Sequence, residues 1–405
     1  MKSKITNYIT YAQGLTYEPQ SLYLEPGQAG RISAELKTLG TKRILVMAKA
    51  TYLTNRNVMD FTDKLEEEGF RVFTYNFKMN YSSSRDIKDA AAEYRSLNCD
   101  TIVVLGGGEE IFCAKMVSAV AINNMKDPAE VEGYGKIKKD ISVLCCVGMD
   151  NSAAIASNIA EFRDENTGRW VTVISDYLVP QIAVIDTNIA MRTVTQVSLS
   201  SAFDSLAMGF ECCLSPAVDY NPSYKACALN AISLVTDNLL AVKENPDDGF
   251  LRKKLAVAGI YAGMAVRMTG LGYSHLTTHQ LKSMLGPEHG KYYCRILQRY
   301  LKESFDYAKP RLAMIYDSLV KNEVRPGHAV MKDSPEPLYS VDESARALLD
   351  LMDRLYEAAI PGEPPLPKIP DKEIKSMCDT IKSQAAEYGL VRFDEQLITR
   401  TLEHL

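Results

Sequence analysis

Three of the five histidines in this 405-residue chain fall inside fifteen positions: His275, His279 and His289. The first two are four apart, a spacing that puts both on one face of a helix. His289 follows a Gly286-Pro287 break, so it belongs to the next element and can fold back towards the pair. A neutral imidazole is the commonest transition-metal ligand. The constellation therefore reads in two ways: as the nitrogen donors of a metal site, or as two helix-surface histidines and one loop histidine.

A second stretch has the composition of an anion cradle. The apolar run Thr101-Ile102-Val103-Val104-Leu105 meets Gly106-Gly107-Gly108, and a helix is predicted from about Glu110. Glycines let the backbone approach a pyrophosphate, and a helix N-terminus favours its charge. The same glycines also suit an ordinary tight strand-to-helix turn. Glu109 and Glu110 set two carboxylates where a phosphate would lie, and like charges repel.

The elements that carry these residues alternate. A strand is predicted just after residue 20, then a Pro26-Gly27 turn and a helix from about Arg31 to Leu39. Lys42 to Met47 and Phe70 to Tyr75 read as strands flanking a helix through Phe61 to Glu68. Asp86 to Leu97 reads as a helix, and Ile141 to Val147 as another strand. Such alternation predicts a parallel α/β sheet. Beyond about residue 190 the pattern is helical to the end, broken by the proline-rich connector Pro361 to Pro367.

Composition narrows the partners. A net charge of -5 gives no reason to expect nucleic acid or an anionic membrane surface. No uninterrupted apolar run of about 18 residues occurs, the length a membrane span needs. The segment Met1 to Tyr8 lacks the apolar core of a signal peptide. The nine cysteines show no zinc-ribbon or CxxC spacing, and Cys145-Cys146 and Cys212-Cys213 lie in apolar segments that suit buried thiols. A reducing cytoplasm is the compartment expected.

Gly270-x-Gly272-x-x-His275-x-x-x-His279, with His289-Gly290 ten residues past His279, resembles the metal-site segment of the iron-containing (group III) alcohol dehydrogenase family. Glu288 stands where that family has proline. Its G-G-G-S-x-x-D-x-A-K pattern is matched at Gly106, Gly107, Gly108, Ala114 and Lys115, with Glu109 for the serine and Phe112 for the aspartate. Its P-T-T-A-G-T-G-S-E pattern is lost after Val147, where Met149 intervenes and only the hydroxyl of Ser152 matches. Its phosphate-side lysine falls at Trp170, beside Arg169, and its ribose-side aspartate near Ala48. Its D-A-x-x-H-x-x-E pattern falls on Asp204 to Glu211, with Met208 for the histidine. Pro180 to Asp186 resembles its last strand before the helical half.

The resemblance implies an α/β N-terminal Rossmann-like domain, residues 1–190, and an all-α C-terminal domain, residues 191–405, the dehydroquinate synthase-like architecture. A cleft between them is expected to run from Gly106, Gly107 and Gly108 to the histidines. It implies a nicotinamide-dependent oxidoreductase acting on a small alcohol, aldehyde or ketone, with Asp204, His275 and His289 as metal ligands. His279 is then the proton relay near the substrate, and Gly106, Gly107, Gly108 and Ser152 contact the cofactor. A homodimer or higher homo-oligomer is also implied. A thioether is a poor ligand for Fe²⁺ or Zn²⁺, so Met208 is expected to weaken the metal. NAD(P) is expected to bind weakly because of Glu109, Phe112 and Trp170, with Arg169 the cation left to meet a phosphate. The alternative is a non-redox relative: a ligand- or partner-binding pseudoenzyme, or a lyase or cyclase on the same scaffold.

Overall fold

The computed structural model describes residues 21–24, 31–138, 141–148, 153–186, 195–285, 289–323, 339–364, 366, 368–388 and 394–405. The Pro26-Gly27 turn, Met149, Ser152 and Glu288 lie outside the described residues.

The first half builds a six-stranded sheet. Its strands are β1 (Ser21–Tyr23), β2 (Arg43–Ala48), β3 (Arg71–Asn76), β4 (Thr101–Gly106), β6 (Val143–Gly148) and β9 (Ile182–Ile185), with β5, β7 and β8 described below. The order is β1-β9-β6-β4-β2-β3, and every neighbouring pair is parallel. Helices α1 (Ile32–Thr38), α2 (Ala50–Leu53), α3 (Arg56–Glu67), α4 (Ser84–Ser96) and α5 (Gly108–Asn123) make the crossovers. Strand β4 is buried at every residue, which is why it reads as an unbroken apolar run and not as an alternation. The chain leaves β2 towards β3 and then returns past it to β4. The strand order therefore reverses between β2 and β4, and at such a point a crevice opens beyond the carboxyl ends of the strands.

A second sheet has the order β5-β8-β7, from Gly133–Tyr134, Trp170–Ile174 and Ile159–Arg163. The sequence reading did not anticipate its β7-β8 hairpin. The turn is closed by Asp164, whose carboxylate accepts bonds from the amide of Asn166 (3.1 Å) and the hydroxyl of Thr167 (2.7 Å), and by Gly168 at φ +72°. Glu161 pairs with Thr172 and Arg163 with Trp170 across the antiparallel ladder, so these four side chains share one face.

Among the described residues, no strand follows Ile185. The second half is helical: α6 (Thr195–Leu214), α7 (Pro222–Glu244), α8 (Gly249–Thr269), α9 (Tyr273–Leu285), α10 (His289–Glu303), α11 (Phe305–Glu323), α12 (Val341–Ala359), α13 (Asp371–Glu387) and α14 (Glu395–Glu403). Asn221 and Asp248 cap α7 and α8 through backbone amides two and three residues on. Helix α7 is long and apolar enough to cross a bilayer, but Ile232, Val235, Leu239 and Val242 are buried in the helical core. All nine cysteines are free, and all but Cys227 are buried.

Lys115 fixes α5 to the small sheet. It is fully buried, and its Nζ donates to the carbonyls of Ser157 (2.7 Å) and Ile159 (2.9 Å). Burial pushes its pKa down from the ordinary 10.5 to about 7. Between those values the unfolded chain holds a proton that the folded chain has lost, so stability from this group rises with pH across the window. Wild type is expected to gain stability relative to Lys115→Met as pH rises from about 7 towards 10. Urea unfolding of both proteins across that range checks it, and parallel curves would contradict it.

Candidate metal centre and cofactor cleft

Two glycines allow the histidines to meet. Gly272 precedes α9, and the Glu211 carboxylate of α6 accepts its amide (3.0 Å) and that of Ser274 (2.8 Å). The Tyr293 hydroxyl donates to the same carboxylate. A Cβ at Gly272 would sit 2.1 Å from the Glu211 carboxyl carbon. Gly290, in the first turn of α10, lies against α6 so closely that a Cβ would stand 1.9 Å from the Ser200 carbonyl oxygen. That approach lets the Nδ1 of His289 reach the Asp204 carboxylate at 3.0 Å.

The three rings gather as the helical spacing and the fold-back of His289 suggest. Ring centroids are 4.5 Å apart for His275 and His279, 5.1 Å for His275 and His289, and 5.3 Å for His279 and His289. One ring nitrogen from each lies within 4.8 Å of the others. Met208 is buried in the helical core, consistent with packing.

A carboxylate missed at the level of sequence completes the cluster. Glu161 of β7 reaches across from the α/β half and is fully buried. Its Oε1 lies 2.8 Å from His275 Nε2 and its Oε2 3.0 Å from His279 Nε2. Burial opposes the charge on Glu161, but the two imidazoles outweigh it and hold the carboxyl well below the usual range. Burial lowers the pKa of His275, and Glu161 more than reverses this and raises it. Burial pushes His279 down to about 3 and lowers His289 despite Asp204. His279 is thus a neutral imidazole near pH 7, the form that ligates metal.

The cluster fits a divalent ion by its own unsatisfied atoms. Nδ1 of His275 and Nε2 of His289 are buried without a hydrogen-bond partner, and Nε2 of His279 has only its 3.0 Å charge contact with Glu161. Each unpaired buried polar group costs about 1–3 kcal/mol, and a shared cation relieves all three.

The glycine turn lies at the β2-β4 crevice. Here Glu110 Oε2 accepts the Gly107 amide at 2.9 Å, and Glu110 Oε1 pairs with Lys49 at 2.8 Å. The chain's own carboxylate therefore takes an amide that a phosphate would use. Glu109 does not stand there as a bare repulsive charge, as the sequence suggested. Its Oε1 pairs with Lys282 of α9 at 2.7 Å and its Oε2 accepts the Ser82 amide at 2.8 Å. Lys282 Nζ in turn lies 3.6 Å from the centroid of the Trp170 ring, which packs 6.1 Å from His279. The other correction concerns Arg169. It stands just before the strand that begins at Trp170, and its guanidinium is taken up by Glu132 at 2.8 Å. The cation beside Trp170 is Lys282. Phe112 packs against the α/β core.

Lys282→Met is expected to lower stability by about 1–3 kcal/mol, because Glu109 loses a charge-assisted hydrogen bond and Trp170 its cation. Urea unfolding monitored by Trp170 measures it, and an unchanged midpoint would show the bridge to be energetically idle.

Comparison with known proteins agrees with this arrangement. Residues 19–187 match the family model for iron-containing alcohol dehydrogenases, and residues 199–385 match the model for the family's C-terminal part. The chain belongs to the iron-containing alcohol dehydrogenase family. Alcohol dehydrogenase 4 of Schizosaccharomyces pombe is 26% identical over 277 residues, 68% of this chain and 64% of that protein. The NAD-dependent methanol dehydrogenase of Bacillus methanolicus is 21% identical over 67% of this chain and 71% of its own. The crystal structure of a 1,3-propanediol oxidoreductase superposes with a TM-score of 0.81 at 19% identity, covering 95% of this chain and 98% of that one. As a family member of the expected fold, the chain is alcohol dehydrogenase-like, and the non-redox alternative is not favoured.

Within the cluster and the crevice, sequence reasoning missed Glu161, Lys282 and Lys49. Glu161 left one signal: a lone carboxylate inside the apolar strand Ile159-Ala160-Glu161-Phe162. Lys282 lies one helical turn past His279 but carries no motif of its own.

Proposed function

We propose that this chain interconverts a small alcohol and its aldehyde or ketone by nicotinamide-dependent hydride transfer, in a cleft between two domains that divide near residue 190. The observation that carries this is the gathering of His275, His279 and His289 beside Trp170, on the path from the glycine turn. A divalent Fe or Zn ion held by this cluster supplies a Lewis acid for the substrate oxygen. Gly106, Gly107 and Gly108 would hold a nicotinamide dinucleotide, which would supply the hydride acceptor or donor.

The chain's own residues do the rest. Asp204 orients His289 through Nδ1, and Glu161 fixes His275 through Nε2. His279, neutral at pH 7 and beside Glu161, has the form that serves either as a base towards the substrate hydroxyl proton or as a ligand to the ion. Trp170 and Lys282 wall the site from water. Dinucleotide affinity is lower than the fold alone would provide, because Glu110 occupies the Gly107 amide. The acidic charge and free cysteines support a cytoplasmic setting, and a homodimer is carried over from the resemblance.

The test is reduction of short-chain aldehydes by NADH and NADPH with Fe²⁺ or Zn²⁺ present, alongside calorimetric titration of each dinucleotide. Turnover with weak dinucleotide binding is expected. Neither binding nor turnover at millimolar dinucleotide would remove the hydride-transfer reading.

A further inference from the structure

We propose that the metal centre here is a three-histidine site: His279 replaces the ligand lost at Met208 and serves as a ligand instead of a proton relay, Asp204 holds the His289 ring from outside, and Glu161 holds the far nitrogen of His275 while its other oxygen faces His279. This rests on the oxidoreductase reading only in supposing that a metal is held.

Three observations carry it. The His279 ring stands as close to the other two as they stand to each other, with centroids at 4.5 and 5.3 Å against 5.1 Å. Each ring retains one buried nitrogen outside any hydrogen bond, that of His279 lying 3.0 Å from Glu161 Oε2. The opposite nitrogen of two rings is held by a carboxylate: His289 Nδ1 by Asp204 at 3.0 Å and His275 Nε2 by Glu161 at 2.8 Å. A carboxylate bound to the far nitrogen of a ligating imidazole fixes its orientation and raises its basicity. Asp204 is thus engaged as an orienter, with Nε2 of His289 left to bind. Three imidazoles leave the fourth tetrahedral position open for a substrate oxygen, as catalytic zinc sites do. Two flanking carboxylates balance a dication in this dry interior. Imidazole donors suit Zn²⁺, Fe²⁺ and Co²⁺.

The full-length protein is stripped with chelator and reloaded with Zn²⁺ or Co²⁺. Metal per chain, zinc affinity by chelator competition and the visible cobalt spectrum are then read. Wild type is expected to take one equivalent with a four-coordinate cobalt band. His279→Gln should lose more than about a hundredfold in affinity, while Asp204→Asn and Glu161→Gln should lose about 10–100-fold and keep the band. Met208→His in the His279→Gln background should recover affinity by rebuilding the set that the family resemblance implies. If His279→Gln does not fold, paramagnetically shifted imidazole protons of cobalt-loaded wild type should count three ligating rings. Two ligating rings, full zinc affinity in His279→Gln with loss in Asp204→Asn, or no metal uptake by wild type would overturn the proposal. Failure of uptake with dinucleotide-dependent turnover intact leaves the oxidoreductase reading standing. Uptake as described without turnover removes that reading and keeps the site.

Discussion

Gly290→Ala is expected to destabilise the helical half by about 3 kcal/mol or more, at or beyond the upper end of ordinary overpacking, and to impair metal uptake. The added Cβ would stand 1.9 Å from the Ser200 carbonyl oxygen and 2.7 Å from the Asp204 amide nitrogen. Both are backbone atoms of α6, so no side-chain rotation relieves the clash; α10 has to move away. His289 sits next to Gly290 and would be carried from Asp204, opening the 3.0 Å bond that orients its ring. Urea unfolding and metal content of the purified variant test both consequences. Wild-type stability would show that α6 and α10 are not in the contact described. Gly270→Ala is a useful contrast: nothing lies within 4 Å of an added Cβ there, and its cost comes from the backbone alone, at φ +72° and ψ -170°, a region essentially confined to glycine, about 1–3 kcal/mol.

Glu110→Ala is expected to raise NAD(H) or NADP(H) affinity about 10–100-fold. The Glu110 carboxylate holds the Gly107 amide at 2.9 Å and Lys49 at 2.8 Å. A dinucleotide phosphate has to displace that carboxylate and accept its repulsion. A hydrogen bond to a charged group is worth about 1.5–3 kcal/mol, and about 1.4 kcal/mol is tenfold in binding. Removal also frees the Lys49 ammonium, which lies at the carboxyl end of β2 on the crevice. Calorimetry on wild type and variant measures the gain, and equal affinities would show that the glycine turn does not cradle the pyrophosphate. Glu109→Ser is expected to gain less, because Glu109 is already neutralised by Lys282 at 2.7 Å.

Local signals in the chain were enough for the fold class and the family. Buried parallel strands such as β4 read as short apolar runs, crossover helices fill the gaps between them, and a helical pattern follows. His275 and His279 could be paired from sequence because four residues make about one helical turn. The break before His289 said that it begins a new element, and it opens α10. The β7-β8 hairpin escaped notice, since Trp170 was considered as a lost lysine and not as part of a strand.

What only the tertiary structure decided is which charges neutralise which. Glu161 meets His275 across 114 residues of chain, and Lys282 meets Glu109 across 173. Neither pair has a local spacing that announces it, because its partners come from the two halves of the fold and touch only when those halves pack. Glu109 therefore looked like an uncompensated charge, Arg169 like a phosphate contact, and Glu161 like nothing at all. The order of side chains along a strand or helix is a local property set by backbone periodicity. The sign and state of a buried charge depend on every group the fold brings against it in a medium that screens poorly, so the chemistry of this cluster becomes readable only once both halves are in place.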